Sequence, residues 1–360
     1  MSFSLPTYRK PDFSGISCAC DARTAPAPAD GVAPEGYHAT TIFPEYYRIG
    51  GVWTLAPESR MDCVAVLQAD GRIAVREFRN LRKGDAVVLG RTEDGSEGVY
   101  VHADGFDTPD AGPQERFSFR QSRSRETAYS RDYDELYSLL RHEREHGRIL
   151  WVLGPACTFD ADARRAMSVL IERGYCHALL AGNALATHDL EAGLLGTALG
   201  QDVYTQRPAP NGHYHHIDVL NKVRACGSIP AFLDAYGIRD GIMHACVRGG
   251  VPFVLAGSIR DDGPLPEVYS DVYRAQDAMR AQVREATTVL CVATQLHSIA
   301  VGNMTPAFRI RDGRVRPAYL YCVDISEFVV GKLRDRGSLS VRTFVANAQD
   351  FLVNVERALR

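Results

Sequence analysis

One short segment of this sequence gathers the side chains best suited to hold a charged substrate. It reads GSIRDDG over residues 257–263 and follows the apolar run VPFVLA. The guanidinium of Arg260 can clamp a carboxylate through two parallel hydrogen bonds. The adjacent carboxylates of Asp261 and Asp262 can hold cationic amines, and a carboxylate within reach of a reacting proton can act as a base. A turn cap with a local ion pair is the structural alternative for these three residues.

Histidines supply the other proton-transfer candidates. His297 stands between the apolar run TTVLCVAT and a glycine turn, where an imidazole could shuttle protons or simply form a structural hydrogen bond. His188, within ATHDLE, is expected to cap a helix or to support the site from behind. The trio His213, His215 and His216 could suggest a metal, but metal-binding histidines usually need a further ligand and a defined scaffold, and we expect no metal site.

Small residues follow several of the apolar runs and indicate a nucleotide site. Glycine lets backbone N–H groups approach a phosphate, and a helix N-terminus adds a favourable field. Asp324 closes the apolar run LYCV, where a carboxylate commonly accepts hydrogen bonds from ribose hydroxyls. The sequence has no G-x-G-x-x-G, so tight strand–helix turns are an equal alternative. The candidate cofactor-lining residues are Gly154, Pro155, Ala156, Gly182, Asn183, Gly257, Ser258, Gly302, Asn303 and Asp324.

The elements that must position these residues alternate along the second part of the chain. An amphipathic helix over residues 132–146 is followed by GRILWVLGPA, and unbroken apolar runs then alternate with helical segments. Such runs predict parallel strands buried on both faces of a sheet. In open α/β sheets the ligand binds at the carboxyl ends of the strands, which is where the candidate residues fall.

The first part of the chain has a different pattern. Residues 1–36 are rich in Pro, Ala, Gly and Asp and predict a flexible N-terminal arm, because such a segment cannot repay its ordering entropy. Residues 37–125 form short β-like runs, with an Asp-Gly turn between two alternating runs in the segment 63–78 that predicts a hairpin. We therefore predict an α/β protein in which a small β-rich N-terminal domain precedes a Rossmann-like parallel-sheet domain over residues 126–360.

Composition narrows the class of protein and its setting. The 360 residues are 45% hydrophobic and 24% charged with a net charge of −3, which favours neither nucleic acid nor an anionic membrane as a partner. No apolar run is long enough to span a membrane, and the N-terminus lacks a signal peptide's apolar core. The nine cysteines are odd in number and dispersed. That distribution suits a reducing cytoplasm, where we expect a homo-oligomer and a buried, inert thiol at Cys246.

Five blocks carry a family resemblance: AGNALATHDLE, AGSIRDDGPLPEV, LHSIAVGNM, CVDIS and KLRDRGS. They closely resemble the NAD-dependent ornithine cyclodeaminases of archaeal and cyanobacterial type, formerly labelled LOR/SDH-like proteins, and not the μ-crystallin type. The resemblance covers roughly residues 37–350. It implies a β-rich domain followed by a Rossmann-like domain that holds NAD at the cofactor-lining residues given above.

The resemblance also implies an activity. Members convert L-ornithine to L-proline with release of ammonia, by transient oxidation at C2, ring closure and re-reduction. The expected substrate is therefore L-ornithine or a close diamino acid, which would give L-proline or a cyclic homologue. The expected setting is amino-acid metabolism, through proline biosynthesis. Arg260, Asp261, Asp262 and His297 are then the expected catalytic group. The alternative is an amino-acid or opine-type dehydrogenase that releases NADH.

Two departures from the family bear on the substrate. Tyr-Glu often stands in the family where this chain has His244-Ala245, and a glutamate lost beside the pocket would change which amine is recognised. The segment RIRDGRVRP lengthens the approach to Asp324. Both features affect the identity of the amine more than the use of NAD.

Overall fold

The computed structural model describes residues 3–16, 20–107, 129–261, 263–326 and 341–360. Asp262, one of the catalytic candidates, lies outside these residues, as does the predicted domain boundary near residue 125. Within the described part of the chain, no helix is long and apolar enough to cross a membrane.

The N-terminal part is built from short antiparallel strands in two sheets. One sheet has the order β1-β7-β5-β2 with β6 paired to β5, and the other has the order β4-β3-β8. The predicted hairpin is confirmed, with Leu67 opposite Ile73 across the turn at Asp70-Gly71. The strands are β1 (Thr24–Pro26), β2 (Ala39–Thr40), β3 (Glu45–Ile49), β4 (Val52–Leu55), β5 (Cys63–Leu67), β6 (Ile73–Arg76), β7 (Ala86–Val88) and β8 (Val99–Val101).

The prediction of a flexible arm is wrong for the described residues before 37. Strand β1 pairs antiparallel with β7, so the arm supplies an edge of the larger β-sheet. Aromatic rings fix the segment before it: Phe13 stacks on Trp53 at 4.5 Å between ring centroids, and Phe3 lies 5.0 Å from the ring of His142. The composition predicted disorder because the segment has few apolar residues. The segment is ordered because it packs against residues from other parts of the chain.

The second part alternates strands and helices, as the sequence predicts. Its strands are β9 (Ile149–Leu153), β10 (Ala178–Gly182), β11 (Thr197–Ala198), β12 (Gln201–Asp202), β13 (Phe253–Ala256), β14 (Val268–Tyr269), β15 (Thr288–Val292), β16 (Phe308–Arg311), β17 (Arg314–Pro317), β18 (Tyr319–Asp324) and β19 (Val341–Val345). Its α-helices are α1 (Tyr129–His146), α2 (Ala161–Glu172), α3 (Asn183–Leu195), α4 (His215–Cys226), α5 (Ile229–Ala235), α6 (Ile242–Gly249), α7 (Val272–Glu285), α8 (Gln295–Met304) and α9 (Ala348–Ala358).

A seven-stranded parallel sheet organises this second part. Its order is β14-β13-β10-β9-β15-β18-β19, so the chain builds outward from β9 in one direction and then returns to add β15 on the other side. The order reverses between β9 and β15, and doubly wound sheets bind ligands at such a reversal. Every residue of β9 and β15 is buried, which explains their unbroken apolar sequences.

The two parts meet at α7 through a buried cluster of charges. Glu77 of the β-rich part accepts hydrogen bonds from Arg60 and from Arg280, the latter at 2.8 Å, and all three side chains are almost fully buried. A backbone hydrogen bond from Ala307 to the carbonyl of Ile42 adds a second connection. The β-rich part is therefore anchored to the helical layer that covers one face of the parallel sheet.

Candidate active site at the carboxyl edge of the sheet

The parallel strands end along one edge, the carboxyl edge, where β9, β10, β13, β15 and β18 are followed by the predicted site residues. At the reversal point Gly154 follows β9, and a Cβ there would overlap the carbonyl oxygen of Ala293 after β15. Only glycine permits this approach. Ala293 itself has a positive φ of 52°, which departs from strand geometry, whereas Gly154 keeps an extended backbone.

A 3-10 helix over Pro155–Thr158 continues directly from Gly154. Proline occupies its first position, where the missing N–H leaves no hydrogen bond unmade. The carbonyl oxygen of Ala156 accepts from Nε2 of Gln349 on α9 at 2.8 Å, which holds the turn in place. The predicted positions of Gly154, Pro155 and Ala156 at a strand end are confirmed.

The loop after β13 presents its charged residues at a turn. The amide of Ser258 donates to Oδ2 of Asp261 at 2.7 Å, and the amide of Arg260 donates to Oγ of Ser258 at 3.2 Å. The carboxylate of Asp261 thus stabilises the turn by accepting the backbone N–H of Ser258. Arg260 and Ile259 are exposed, and no described residue forms an ion pair with the guanidinium. The side chain of Arg260 therefore projects from a fixed turn into solvent.

His297 lies over the end of β10. Its Cε1 atom would stand 3.2 Å from a Cβ built on Gly182, so glycine at 182 leaves room for the imidazole. Burial holds the pKa of His297 below its ordinary 6.5, and the ring has no hydrogen-bond partner among the described residues. A neutral imidazole near the strand ends can accept a proton.

Asn183 begins α3 immediately after Gly182 and is buried. Its Oδ1 accepts the backbone N–H of Leu265 at 3.0 Å, across a separation of 82 residues. The sequence places Asn183 at the end of β10, and the structure adds that its side chain fastens the loop that carries Arg260.

Asp324 ends β18, as predicted, and is half-buried. Its Oδ1 accepts from the amide of Ser326 at 2.9 Å. The next residue, Ile325, is 75% exposed, and Leu296 in the first turn of α8 is 73% exposed. With Ile259 after β13, three apolar side chains therefore stand in solvent at the ends of three strands, which sequence analysis missed. Their signal was an aliphatic residue directly beside each strand-end polar group.

Gly302 and Asn303 do not lie in a strand-end loop. They occupy the last turn of α8, which begins at Gln295 beside the carboxyl edge. Seven residues of helix separate Gln295 from Gly302, or about 10 Å along the axis. The expectation that both residues lie in a loop at the strand ends is wrong, because the glycine is absorbed into a helix and does not end it.

His188 belongs to a buried polar chain behind the carboxyl edge. Its Nδ1 lies 2.9 Å from Oε2 of Glu191, and Oγ1 of Thr197 bridges Glu191 and Nδ1 of His215. The ring of His188 also lies 5.6 Å from that of Phe159. Within the described ranges no three His, Cys, Asp or Glu side chains are grouped closely enough to hold a metal ion.

The remaining candidates lie in the core. Cys246 on α6 is fully buried, and burial raises the pKa of its thiol well above the ordinary value, so it is an unreactive packing residue. Its neighbour Ala245 is also buried in the main hydrophobic core, while His244 is half-buried. The effect of the missing glutamate on which amine is recognised stays a prediction. The segment RIRDGRVRP forms the hairpin β16–β17.

Known proteins resemble both the sequence and the fold. Residues 135–355 match the family described as arginine dihydrolase ArgZ-like, C-terminal, Rossmann fold. An ornithine cyclodeaminase from Methanopyrus kandleri is 39% identical over 345 residues, which is 94% of this chain and 79% of that protein. A bifunctional arginine dihydrolase/ornithine cyclodeaminase from Nostoc, AgrE, is 36% identical over 337 residues, or 92% of this chain and 46% of that protein.

Two solved structures are similar as well. A LOR/SDH protein from Methanococcus maripaludis matches with a TM-score of 0.85 at 34% identity, covering 94% of this chain and 98% of that one. The ternary complex of AgrE with ornithine and NAD+ matches with a TM-score of 0.60 at 34% identity, covering 95% of this chain and 46% of that one.

Proposed function

Because this chain belongs to the ornithine cyclodeaminase family of archaeal and cyanobacterial type, we propose that it is an NAD-dependent cyclodeaminase that converts L-ornithine to L-proline and ammonia. The observation that carries the proposal is the loop after β13, where Arg260 projects from a turn fixed by Asp261 at the carboxyl edge of a Rossmann sheet. This is an ammonia-lyase, with no net consumption of cofactor.

The reaction sets out what the site must do. When bound, NAD+ accepts a hydride from C2 of the substrate and later returns it to the same carbon. The δ-amine attacks C2 of the resulting α-imine, the bond from C2 to the α-nitrogen breaks, and ammonia leaves. The protein has to orient C2, move protons between the two nitrogens and keep water from the imine.

The carboxyl edge fits a dinucleotide laid across the strand reversal. The ends of β13 and β18 are four strand spacings apart, or about 19 Å. Asp324 at the end of β18 would accept hydrogen bonds from the adenosine ribose, and the nicotinamide would then lie toward β10 and β13. The exposed Ile259, Leu296 and Ile325 supply apolar surface for the flat rings. The lining set further comprises Gly154, Pro155, Ala156, Gly182, Asn183, Gly257 and Ser258.

The residues near β13 are suited to the substrate. Arg260 would clamp the α-carboxylate, since its guanidinium is exposed and held on a fixed turn. Asp261 is occupied by the amide of Ser258, which leaves the carboxylate of Asp262 as the group that holds an amine of ornithine and exchanges its protons. His297, neutral because of its burial, is the second proton acceptor at this end.

The setting of the protein is part of the proposal. The eight described cysteines are all unpaired, which supports the reducing cytoplasm. Leu199, Tyr204 and Tyr214 between α3 and α4, and Ile217 in the first turn of α4, are exposed and support a homo-oligomer, because exposed apolar side chains can mark contacts between chains.

Isotope labelling tests the activity. L-Ornithine carrying deuterium at C2 should yield proline that keeps the label, with a catalytic amount of NAD+ supporting many turnovers. A dehydrogenase would export the deuterium on NADH and consume one cofactor per product. Mass spectrometry of the product together with absorbance at 340 nm separates the two. Label washout, or stoichiometric NADH, would overturn the cyclodeaminase and leave the NAD site standing.

A further inference from the structure

The loop that joins β13 to β14 has two distinct parts. Its tip, residues 258–261 and 263, is exposed or half-buried and carries Arg260. Its stem, residues 264–267, returns into the protein, and Leu265 within it is 1% exposed in the main hydrophobic core. Among the described residues, the side-chain hydrogen bonds of the tip are those of the Ser258–Asp261 turn. Its position in space therefore depends on how firmly the stem is held.

Three separate elements hold the stem. The carboxamide of Asn183 on α3 accepts the N–H of Leu265 at 3.0 Å. Nη1 of Arg224 on α4 donates to the carbonyl oxygen of Pro264 at 3.0 Å. Oε1 of Glu267 accepts the N–H of Ile229, the first residue of α5, at 2.6 Å.

Glu267 is the least expected of the three contacts. One of its oxygens binds Ile229, but the other, Oε2, is buried without a hydrogen-bond partner in the described part of the chain. Leaving a carboxylate oxygen buried and unpaired is costly. The oxygen that is paired ties the stem to the first residue of α5.

Helices α4 and α5 belong to an insertion, residues 197–241, between α3 and α6. A minimal crossover between β10 and β13 needs a single helix, so these helices are additional to the sheet's topology. Their contacts to Pro264 and Glu267 both fall on the stem. The insertion thus contacts the stem of the loop that carries Arg260 from two helices, α4 and α5.

We propose that Glu267 is a positioning residue for the reaction, which ties the loop carrying Arg260 to α5 so that the tip stays in register with the carboxyl edge. The proposal rests on the cyclodeaminase function. Displacement of a reacting geometry by about 1 Å can cost on the order of 100-fold in rate. Loss of the tie should therefore reduce turnover without removing any group that touches the substrate.

The contact between Glu267 and α5 should also determine whether the α-imine cyclises or is hydrolysed. A loosened tip admits water to the α-imine, which then hydrolyses to the 2-oxo acid and ammonia. In that event the hydride removed from C2 stays on the cofactor, and one NADH appears for each oxo acid. Glu267 would thus act on the partition between proline and oxo acid, a ratio that a purely structural role would leave unchanged.

The test compares Glu267→Ala with Glu267→Gln, which keeps an acceptor for Ile229. We expect the alanine variant to lose roughly 10-fold to 100-fold in kcat, to bind NAD+ as before by calorimetry, and to release NADH and oxo acid. Glutamine should restore most of the activity and the proline yield. Glu145→Ala, an exposed site on α1, is the matched control.

Amide exchange supplies a readout without turnover. Peptides covering residues 258–268 should exchange faster in Glu267→Ala, and Arg224→Met should show a weaker effect of the same kind if the alanine variant folds poorly. The proposal would be overturned if Glu267→Ala and Arg224→Met both kept the amide exchange of these peptides and the ratio of proline to oxo acid at the values of the unaltered protein. If the unaltered protein fails to turn over ornithine, the proposed function fails, but faster exchange at the loop still supports the tie.

Discussion

Two groups of arginines and carboxylates in this protein have similar chemistry and opposite environments. At the junction of the two parts, Glu77 is buried between Arg60 and Arg280. At the carboxyl edge, Arg260 stands in solvent with no ion pair within the described residues, and its neighbour Asp261 binds the backbone of its own turn.

The difference shows what each group is for. A buried charge that loses its partner is left desolvated and unpaired, so the junction fixes one arrangement of the two parts. An exposed guanidinium on a rigid turn is already positioned and still available to a ligand, because no internal partner has to be broken. Removing a charge from the Glu77 cluster should lower the stability of the fold. Removing a charge from the loop that carries Arg260 should lower the rate of the reaction.

The largest effect is expected at the junction. Glu77→Ala should lower the free energy of unfolding by about 3–5 kcal/mol, because it strands two buried guanidinium groups. Denaturant titration measures this. Glu145→Ala is the control: it and its partner Arg144 on α1 are both exposed, so the loss should be much smaller. Equal losses in the two variants would contradict the contrast.

The next effect belongs to the loop. Asp262→Asn and Arg260→Gln should each reduce turnover on the order of 100-fold or more, since each removes a group proposed to bind the substrate. Unfolding should stay within about 0.5 kcal/mol of the unaltered protein. Asp312→Asn, at an exposed hairpin turn, controls for loss of charge. Near-normal kinetics in Asp262→Asn would transfer its role to Asp261.

A smaller effect is expected at the far end of the edge. Asp324→Asn should weaken NAD+ binding roughly tenfold, or about 1.4 kcal/mol, and reduce the preference for NAD+ over NADP+, because a carboxylate repels a 2′-phosphate. Calorimetry with both cofactors measures it, with Asp350→Asn on α9 as the control. Tighter binding of NADP+ by the unaltered protein would remove Asp324 from the ribose site.

The smallest effect concerns pH. Burial lowers the pKa of His297 in the folded state, so below its ordinary pKa of 6.5 the unfolded chain binds more protons at this site. Its contribution to stability is complete above about pH 6.5 and is lost as pH falls. His297→Gln should flatten that part of the stability profile between about pH 7.5 and 5.5, and His213→Gln, at an exposed position, should not. Identical profiles for both variants would exclude a buried neutral imidazole.

Most of the α/β architecture could be predicted from local patterns. Strands β9 and β15 are buried on both faces, so their apolar runs are legible in the sequence without any partner. Gly154, Gly182 and Asp324 follow such runs directly, and their places at the carboxyl edge are confirmed. Parallel strands bring their carboxyl ends to one edge whatever the order of the sheet.

Two local patterns misled. Residues 20–36 have a disordered composition, yet β1 is ordered because β7 offers it a free edge. Gly302 follows apolar residues as a turn glycine would, but α8 continues through it to Met304. In the first case the competing effect is a strand pairing with another part of the chain, which no short window of sequence contains. In the second case the helix simply continues through the glycine.

The sequence by itself determined the strands, their carboxyl ends and the kinds of side chain placed there. Only the tertiary structure decided which charges became internal. Glu77 finds Arg280 across 203 residues, and Asn183 finds Leu265 across 82. The sequence around a charged residue does not show whether that residue will be buried or exposed. Its burial depends on which surfaces the fold brings together. Removing a charge from water is unfavourable and is offset only where the charge is paired, which leaves Arg260 in solvent.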